Sequence, residues 1–269
     1  MKKPTFSIVV PTLNEARYLP KLLTDLTAQT FQDFEVIIVD GGSTDKTLFL
    51  AKEYKTKLNL TILNSPKAHV CTQRNLGAKQ AHADTLIFSD ADNRLPPYFL
   101  QGTKYRWESS HAHILSFSLK PDKNTPQNNA IALAMSTFLE LQINVKPTWL
   151  LEAMFAIDKI AFEKIGGFDE SMDYAEGRSI IQESLRLNLI IKHVKDPLYS
   201  FSFRRLRKYG IVNMASRMAK LELAHLIGRE IYNSQAKKLY PMTGGALFSQ
   251  PRKVKSRFLK NIAKLLKDL

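Results

Sequence analysis

The sequence has almost no cysteine and no long apolar run. Its single cysteine, Cys71, cannot form a disulfide within the chain, which fits a reducing compartment. The apolar segment at residues 6–10 is ended by Pro11 and is shorter than the core of a signal peptide. No stretch reaches the length of a transmembrane helix. We therefore expect a cytoplasmic protein that is soluble or attached only to the surface of a membrane.

Several common catalytic patterns are also missing. The six histidines have no spacing to the cysteine that suits a metal centre. No Ser-His-Asp set and no Gly-rich loop of the kind that cradles a triphosphate is visible. These absences argue against a Cys/His metal protein, a serine hydrolase and a Walker-type nucleotide site. The hydrophobic content of 44% nevertheless supports a substantial core.

The positive charge is concentrated at one end. The net charge is +14, and residues 201–269 hold 16 Lys and Arg against three Asp and Glu, so residues 1–200 are close to neutral. A neutral body with a basic end indicates a docking surface rather than an anionic polymer substrate. Within residues 252–269, apolar residues recur at helical spacing among basic ones, which predicts an amphipathic helix on an anionic membrane.

The pattern of this tail also fits a partner other than a membrane. Its apolar stripe could instead pack on the protein body or on a partner subunit. Nucleic acid is disfavoured, because the tail lacks interleaved aromatic residues and the chain has no recognition motif.

Strand and helix patterns alternate through the first half of the chain. Continuous apolar runs predict buried strands at 6–10, 34–39, 58–63 and 85–88. Helical spacing occupies the intervals at 15–29, 45–54 and 72–82. This alternation predicts an α/β fold with a mostly parallel central sheet flanked by helices.

The second half of the chain is less regular. Strands are predicted at 114–119, 151–157, 190–194 and 198–203, with a helix at 128–143. From residue 210 onward the pattern predicts a helical, basic C-terminal extension.

Polar segments follow three of the predicted strands, at residues 11–12, 40–42 and 89–92. Ligands of parallel α/β sheets bind beyond the carboxyl ends of the strands, so these segments should converge on one crevice. Two carboxylates one residue apart at the end of a buried strand, Asp90 and Asp92, are costly without a positive partner. The pair therefore predicts a divalent metal and, with it, a diphosphate.

Four blocks together closely resemble the inverting family 2 glycosyltransferases. They are SIVVPTLNE at 7–15, VDGGSTDKT at 39–47, RNLG at 74–77 and DAD at 90–92, in that family's order and spacing. The resemblance covers about residues 5–205. It implies an A-type (GT-A), Rossmann-like fold that uses a nucleotide-diphosphate sugar.

The same resemblance divides the chain into two parts. It assigns residues 1–205 to a glycosyltransferase domain, with a nucleotide-sugar half at about 1–95 and an acceptor half at about 96–205. Residues 206–269 are then a basic helical extension.

The resemblance places the nucleoside against Pro11, Thr12, Glu15 and Asp40. It favours a UDP-sugar, because an acid at the position of Asp40 often faces uracil in this family. The local chemistry agrees, since a helix N-terminus favours polar or anionic ligands and glycines allow a close approach. In the alternative interpretation, residues 12–15 only cap a helix and Asp40 only begins a turn.

The diphosphate should lie near Arg74, Asp90 and Asp92. Arginine suits phosphate through its planar donor fork, so phosphate contact is favoured for Arg74 over the alternative of a surface salt bridge. The resemblance makes Asp92 the direct ligand of Mn²⁺ or Mg²⁺ and places Asp90 against the ribose or a metal-bound water. Such a metal stabilises the departing diphosphate as a Lewis acid. The alternative for this acidic pair is a solvated turn.

The general base is the least defined part of the predicted site. The family commonly supplies it from a Glu-Asp pair after a Gly-Gly-Phe-Asp block, which is present here at 166–169. Glu176 matches the first acid of the pair, but Gly177 replaces the second. Glu176 is the first candidate to deprotonate the acceptor hydroxyl and Asp173 the second. An acceptor that is already ionised, such as a phosphate, would need no strong base.

A basic cluster at 204–208 follows the last predicted strand. In related enzymes such a segment can close over the diphosphate, so Arg204 and Arg205 are candidates for contact with a diphosphate or a lipid phosphate. They could equally belong to a membrane-facing charge.

These features predict a metal-dependent, inverting glycosyltransferase of cell-envelope or polysaccharide biosynthesis, with a glycan or lipid-linked acceptor. We expect it to be peripheral on the cytoplasmic face of the membrane and not to bind nucleic acid. A catalytically weak nucleotide-sugar binding protein is one alternative, suggested by Gly177. A nucleotidyltransferase is another, ranked lower because no Gly-rich triphosphate loop is present.

Overall fold

The computed structural model describes residues 3–241 together with 244 and 245. Within these residues, seven strands form one sheet with helices on both faces, and further helices follow the last strand. The predicted amphipathic segment at 252–269 lies outside the described residues. The predicted α/β class with a mostly parallel central sheet is confirmed.

The strands, in chain order, are β1 (Phe6–Thr12), β2 (Phe34–Asp40), β3 (Leu60–Asn64), β4 (Thr85–Ser89), β5 (Ile114–Pro121), β6 (Met154–Asp158) and β7 (Ile191–Phe201). Across the sheet they are ordered β3-β2-β1-β4-β6-β5-β7. Only β6 runs antiparallel to its neighbours, β4 and β5.

The helices of the main body are α1 (Leu19–Thr27), α2 (Thr47–Lys52), α3 (Val70–Gln80), α4 (Phe99–Ser110), α5 (Pro126–Val145), α6 (Lys159–Lys164) and α7 (Gly177–Arg186). Those that follow the last strand are α8 (Arg204–Tyr209), α9 (Ile211–Ile227) and α10 (Arg229–Leu239).

The central strands account for the continuous apolar runs of the sequence. Every residue of β1, β2 and β4 is buried, as expected for strands covered on both faces. In the pairing of β1 with β2, Phe6 lies beside Phe34 and Thr12 beside Asp40, so the two strands end together. β4 pairs with the other side of β1 in parallel. The residues that follow these three strands therefore emerge at one edge of the sheet.

Two apolar cores lie on opposite faces of the sheet. One contains the leucines of α1, including Leu22 and Leu26, together with Phe99 of α4 and Leu139 of α5. The other is built by α3, α6 and α7 and centres on an aromatic cluster of Phe88, Phe155, Phe162 and Phe168. Burial of these faces holds the strand ends in fixed relative positions.

Several predicted element boundaries differ by a few residues from those in the structure, and two of the differences have a clear cause. α1 begins at Leu19 rather than near residue 15, because Asn14 has a positive φ of 54° and a turn precedes the helix. The two short strands predicted at 190–194 and 198–203 are one strand, β7. Its pairing with β5 shifts register between Phe117 and Leu119, which explains the break in the apolar pattern.

Helix α4 was not predicted. Its buried side chains are few, namely Phe99, Leu100 and Thr103, so the segment has little helical periodicity. It also contains Gly102, and glycine has a low helix propensity. In the structure this glycine packs against Pro197, whose Cγ would lie 3.1 Å from a Cβ at position 102. Tertiary contact therefore explains a residue that local propensity disfavours.

The helices after the sheet pack back on the body. Tyr232 of α10 is 1% exposed and donates a hydrogen bond to the carbonyl of Tyr174 at 2.6 Å. Helix α8 begins at Arg204 and thus spans the predicted boundary between residues 205 and 206. Across the described part of the chain, no helix combines the length and apolarity needed to span a bilayer.

Candidate active site

The carboxyl ends of β1, β2 and β4 meet at one edge of the sheet, where the sequence predicts a crevice. A cavity of about 110 Å³ opens at this edge. Its lining includes seven predicted site residues: Pro11, Thr12, Glu15, Asp90, Asp92, Arg204 and Arg205. The strand-end segments and the distant basic cluster therefore meet in one place.

Asp40 organises the loop beside this cavity and is 1% exposed. Its Oδ2 accepts hydrogen bonds from the amides of Gly42 and Ser43, at 2.9 and 2.8 Å. Its Oδ1 accepts from the hydroxyls of Ser43 and Thr12, at 2.5 and 3.2 Å. Gly42 has a φ of 91°, a conformation that favours glycine. The carboxylate thus joins the ends of β1 and β2, and its contact with a base stays a prediction.

Gln73 of α3 ties the same strand ends together, although no motif singled it out. Its Nε2 donates to the carbonyls of Thr12 and Val39, at 2.8 and 2.7 Å. A Cβ at Gly41 would lie 3.2 Å from the amide of Gln73, so the small residue permits this close approach. A glutamine within a helix gives no sequence signal for such a role.

Arg204 links two buried acids in the cavity. Its guanidinium donates to both carboxylate oxygens of Glu15, at 2.6 and 2.8 Å. Its Nε lies 2.7 Å from Oδ2 of Asp92. The side chains of Arg204, Glu15 and Asp92 are 14%, 5% and 11% exposed, so these ion pairs are largely shielded from water. The ring of Tyr18 lies against the same guanidinium, 4.9 Å from its centre.

This burial changes the acid–base properties of the three groups. Burial raises the pKa of Glu15 to about 7, against the lowering effect of the hydrogen bonds from Arg204. Burial likewise raises the pKa of Asp92, while the charge of Arg204 opposes the rise. The two acids in turn raise the pKa of Arg204, which keeps it cationic. The arrangement therefore holds a permanent positive charge beside two perturbed carboxyl groups.

Arg74 lies beneath the other acid of the pair. The Arg74 side chain is 3% exposed, and its guanidinium donates to Asp90 Oδ1 at 3.0 Å and to the carbonyl of Glu152 at 3.3 Å. Its guanidinium also lies over the ring of Phe168, 5.1 Å from the centre. The Asp90 side chain is 38% exposed. Arg74 is therefore a buried ion-pair partner of Asp90, and its contact with a phosphate stays a prediction.

Asp90 and Asp92 provide the hard oxygen donors that Mg²⁺ and Mn²⁺ prefer. Among the described residues, no group of three or more Asp, Glu, His or Cys side chains could hold a metal. Two carboxylates leave most coordination positions to water and phosphate oxygens, which is usual for Mg²⁺. The donor set therefore fits a metal that binds together with a diphosphate. Arg204 is the positive partner that the structure itself gives Asp92.

The two base candidates lie at a second cavity, of about 260 Å³, lined in part by Asp173 and Glu176. Asp173 forms an ion pair with Lys237 at 3.4 Å, and Nε2 of His69 lies 3.8 Å from its Oδ1. Glu176 is 4% exposed, and its Oε1 is buried with no hydrogen-bond partner among the residues that the structure describes. Burial raises the pKa of Glu176 above its ordinary value, although Arg74 lowers it.

A third acid, Glu152, lies beside these groups and was missed. Its Oε1 accepts a hydrogen bond from the amide of Gly177 at 2.7 Å. Burial and the charge of Glu176 raise the pKa of Glu152 to about 8, while Arg74 lowers it. In sequence it is only a lone acid within the strand predicted at 151–157, so no motif could have identified it.

The Gly-Gly-Phe-Asp block is fastened to α3 by Asn75. The side-chain amide of Asn75 donates to the carbonyl of Phe168 at 2.9 Å, and its Oδ1 accepts from the amide of Phe168 at 2.9 Å. Gly167 has a φ of 73°, and a Cβ there would lie 2.7 Å from Asn75 Oδ1. Asp169 Oδ1 accepts a hydrogen bond from the amide of Ser171 at 2.9 Å, so this side chain caps the turn that follows the block.

A segment near the end of the described chain lies against the first strand end. The amide of Gly245 donates to the carbonyl of Leu13 at 2.9 Å, and Gly244 lines the first cavity. Arg205 donates to the carbonyl of Pro241 at 3.3 Å and lies over the ring of Tyr240, 4.0 Å from its centre. Arg205 therefore contacts the residues that follow α10.

The matching family model identifies the class of protein. The Glycosyl transferase family 2 model matches residues 7–166, more than half of the chain. The chain therefore belongs to glycosyl transferase family 2, as the four blocks indicate.

Two curated relatives illustrate the similarity. The chain is 26% identical over 244 residues to the poly(ribitol-phosphate) beta-N-acetylglucosaminyltransferase TarS of Staphylococcus aureus (strain Mu50 / ATCC 700699), covering 87% of this chain and 42% of TarS. It is 41% identical over 97 residues to a PGL/p-HBAD biosynthesis glycosyltransferase of Mycobacterium bovis (strain BCG / Pasteur 1173P2), covering 35% of this chain and 38% of that protein. The chain thus spans less than half the length of these relatives.

Solved structures support the fold. The crystal structure of S. aureus TarS 1-349 in complex with UDP-GlcNAc matches with a TM-score of 0.63 and 22% identity, over 94% of this chain and 77% of that one. The mannosyltransferase PcManGT from Pyrobaculum calidifontis, in complex with GDP-Man and Mn²⁺, matches with a TM-score of 0.62 and 16% identity, over 99% and 81% of the two chains. The predicted GT-A fold is confirmed.

Proposed function

We propose that this chain transfers a sugar from a nucleotide-diphosphate sugar to an acceptor, with inversion at the anomeric carbon and with a divalent metal. The observation that carries this proposal is the meeting of Asp92, Arg204 and the β1 strand end around one cavity. Family membership supports the reaction class. The UDP-GlcNAc and GDP-Man complexes of the structural neighbours support the class of donor, and we favour a UDP-sugar.

The donor's nucleoside would lie against Pro11, Thr12 and Glu15, beside the loop that Asp40 holds. This position is favourable because the cavity lies beyond the carboxyl ends of parallel strands, and the polar side chains of Thr12 and Glu15 line it. Arg204 and Arg205 would face the diphosphate, since both line the same cavity and arginine matches phosphate geometry.

Asp92 would hold Mn²⁺ or Mg²⁺, and Asp90 would support the ribose or a metal-bound water. The metal, when bound, supplies Lewis-acid stabilisation of the negative charge that gathers on the departing diphosphate. Arg204 contributes in the same direction through its fixed positive charge next to Asp92. Arg74 holds Asp90 in place from the core side.

The acceptor hydroxyl would lose its proton to a carboxylate at the second cavity or beside it. Glu176 and Asp173, the base candidates of the sequence, both line that cavity. The two cavities are neighbours, because Ala68 and Val70 line both of them.

The acceptor would be a glycan or a lipid-linked molecule at the cytoplasmic face of a membrane. The net charge of +14 and the amphipathic pattern at 252–269 support this peripheral location. Co-sedimentation of the full chain and of a 1–250 truncation with vesicles containing anionic lipid tests it. Equal sedimentation of the two proteins would remove the membrane from the proposal.

The reaction is tested by nucleoside-diphosphate release from UDP-, GDP- and dTDP-sugars with Mn²⁺. Asp92→Asn should lower turnover by about 100-fold or more, because it weakens a metal ligand at the departing group. Glu53→Gln, at an exposed acid that follows the C-terminal end of α2, is the matched control and should leave turnover unchanged. Full activity of Asp92→Asn, or of the unchanged chain in excess chelator, would contradict the metal's role.

Gly177 favours a second candidate, a nucleotide-sugar binding protein with weak or no turnover. Calorimetry showing tight donor binding without turnover on an acceptor panel would select that candidate. Release of pyrophosphate instead of nucleoside diphosphate would identify a nucleotidyltransferase.

A further inference from the structure

The carboxylate of Glu152 occupies the space beside Gly177. Its Oε1 accepts the Gly177 amide at 2.7 Å and would lie 2.8 Å from a Cβ at position 177. The carbonyl oxygen of Leu150 would lie 2.6 Å from the same atom. There is thus no room for a side chain at position 177. The carboxylate of Glu152 occupies the space that the Cβ of such a side chain would need.

Glu152 also lies next to the predicted donor site. It precedes β6, whose N-terminal end lies at the sheet edge where β4 ends. The amide of Asp90 donates to the carbonyl of the next residue, Ala153, at 2.9 Å. Arg74 bonds both Asp90 and the backbone carbonyl of Glu152. One backbone hydrogen bond and the side chain of Arg74 therefore connect Asp90 of the donor site to the backbone around Glu152.

The two oxygens of Glu152 have different surroundings. Oε1 is fixed by the amide at the start of α7, while no described side chain donates a hydrogen bond to Oε2. The residue is partly exposed, whereas Glu176 is 4% exposed and its Oε1 is enclosed. Glu152 thus has one anchored oxygen and one that no described side chain engages, and Glu176 is the more enclosed acid.

We infer that Glu152 is the general base of the transfer and that Glu176 is a positioning residue. The inference rests on the proposed function. In this step the acceptor hydroxyl gives its proton to Oε2 of Glu152, and its oxygen forms the new bond to the anomeric carbon. The bond from that carbon to the diphosphate oxygen breaks, and the diphosphate leaves with the electron pair. No other reactant is needed.

The electrostatic surroundings suit this role. Glu152 and Glu176 are close to the same buried cation, Arg74. One positive charge does not offset two carboxylates, so this pair of acids holds a proton to a higher pH than two exposed glutamates would. A base whose pKa lies near the working pH combines availability with proton affinity. The other described groups that face this pair are Cys71 of α3, Asp90 after β4, Tyr174 before α7, Tyr199 of β7, His69 before α3, Tyr232 of α10 and Tyr240 after α10.

The first test is the pH dependence of nucleoside-diphosphate release by Glu152→Gln and by the exposed control Glu163→Gln. The unchanged chain and the control should show a rising limb as pH increases, because the base must be ionised. Glu152→Gln should lose about 100-fold in kcat together with that limb, with donor affinity within about threefold of the unchanged chain. Formate should restore part of the activity to Glu152→Ala but not to Glu152→Gln, which has no room for it.

The second test is independent of turnover. Carbon NMR of the glutamate carboxyl groups should show several groups titrating above the ordinary range, Glu15 and Glu176 among them, and Glu152→Gln should remove the signal of Glu152 from that set. Glu176→Gln should move the same signal toward the ordinary glutamate range, because its charge raises the pKa of Glu152.

The outcomes separate the inference from the proposed function. Retained kcat and an unchanged rising limb in Glu152→Gln would overturn the inference while turnover by the unchanged chain upholds the function. Equal loss of donor affinity and thermal stability in that variant would also overturn it, since Glu152 would then be only structural. No turnover by the unchanged chain with any donor would overturn the proposed function and this inference with it.

Discussion

The Nε atom of Arg204 lies 2.7 Å from Oδ2 of Asp92, and the same guanidinium holds both oxygens of Glu15. The helix that follows the sheet is thus fastened to two strand ends by one charged side chain. Because all three groups are shielded from water, removing the cation leaves two buried carboxylates facing each other.

Arg204→Ala should therefore lower the free energy of unfolding by about 3 kcal/mol, as expected when one partner of a buried ion pair is lost. Urea denaturation at pH 7.5 measures it. Arg186→Ala is the matched control, because Arg186 pairs with Glu183 on the surface and should contribute less than about 0.5 kcal/mol.

A double-mutant cycle sharpens this prediction. Adding Glu15→Gln to Arg204→Ala removes one of the stranded acids, so the double variant should be more stable than the sum of the two single effects by about 1 kcal/mol or more. Simple additivity would show that Glu15 and Arg204 are not energetically coupled.

Asp40→Asn should loosen the loop after β2. An asparagine has one oxygen to replace two, so it cannot accept all the bonds that Asp40 takes from Gly42, Ser43 and Thr12. We expect a loss of about 1–3 kcal/mol in the free energy of unfolding and faster hydrogen exchange at the amides of Gly42 and Ser43. Asp84→Asn, at an exposed acid, is the control. Unchanged exchange at those amides would show that the bonds are not what orders the loop.

The parts of the site that could be predicted are those attached to strand ends. Continuous apolar runs located β1, β2 and β4, and parallel strands bring their carboxyl ends to one edge. Asp40, Asp90 and the residues after β1 follow directly from that geometry.

The contacts made by distant residues could not be predicted in the same way. Arg204 lies 189 positions from Glu15, and no local pattern links the two. Glu152 is separated from Gly177 by 25 positions, and its relation to that glycine depends on how α7 packs against β6. Such contacts are set by tertiary packing, which periodicity and spacing do not encode.

The acid stability of the protein should depend on Glu35. Burial acts to raise the pKa of Glu35, but hydrogen bonds from Ser7 and His82 outweigh it and hold the pKa below its ordinary value of 4.5. A carboxyl with a lowered pKa stabilises the fold above the unfolded-state pKa, and this contribution is lost as pH falls through the folded-state value. Stability should therefore decline below about pH 4.5.

Glu35→Gln tests this dependence. The variant should be less stable at pH 7, where it lacks the ionised acceptor of the bonds from Ser7 and His82, and the difference should shrink as pH falls below 4.5. Urea midpoints measured from pH 3 to pH 7 give the comparison. A constant difference across that range would mean that the charge of Glu35 contributes nothing. Nucleoside-diphosphate release at neutral pH should be unaffected, since Glu35 lies at the opposite end of β2 from Asp40.

Gly77 sets how closely α3 approaches the sheet. A Cβ at this position would lie 2.4 Å from Cγ1 of Val9 and 3.1 Å from Cγ2 of Val39, both on fully buried strands. Gly77→Ala should destabilise the fold by about 1–3 kcal/mol through overpacking, against the gain in helix propensity. Gly228→Ala is the control, because nothing lies within 4 Å of its added Cβ and its φ of 162° is extended backbone.

Since α3 also carries Gln73 and Arg74, a shift of the helix in Gly77→Ala should weaken donor binding as well, measured by calorimetry with a nucleoside diphosphate. Unchanged stability in Gly77→Ala would show that α3 can move away from the sheet without loss.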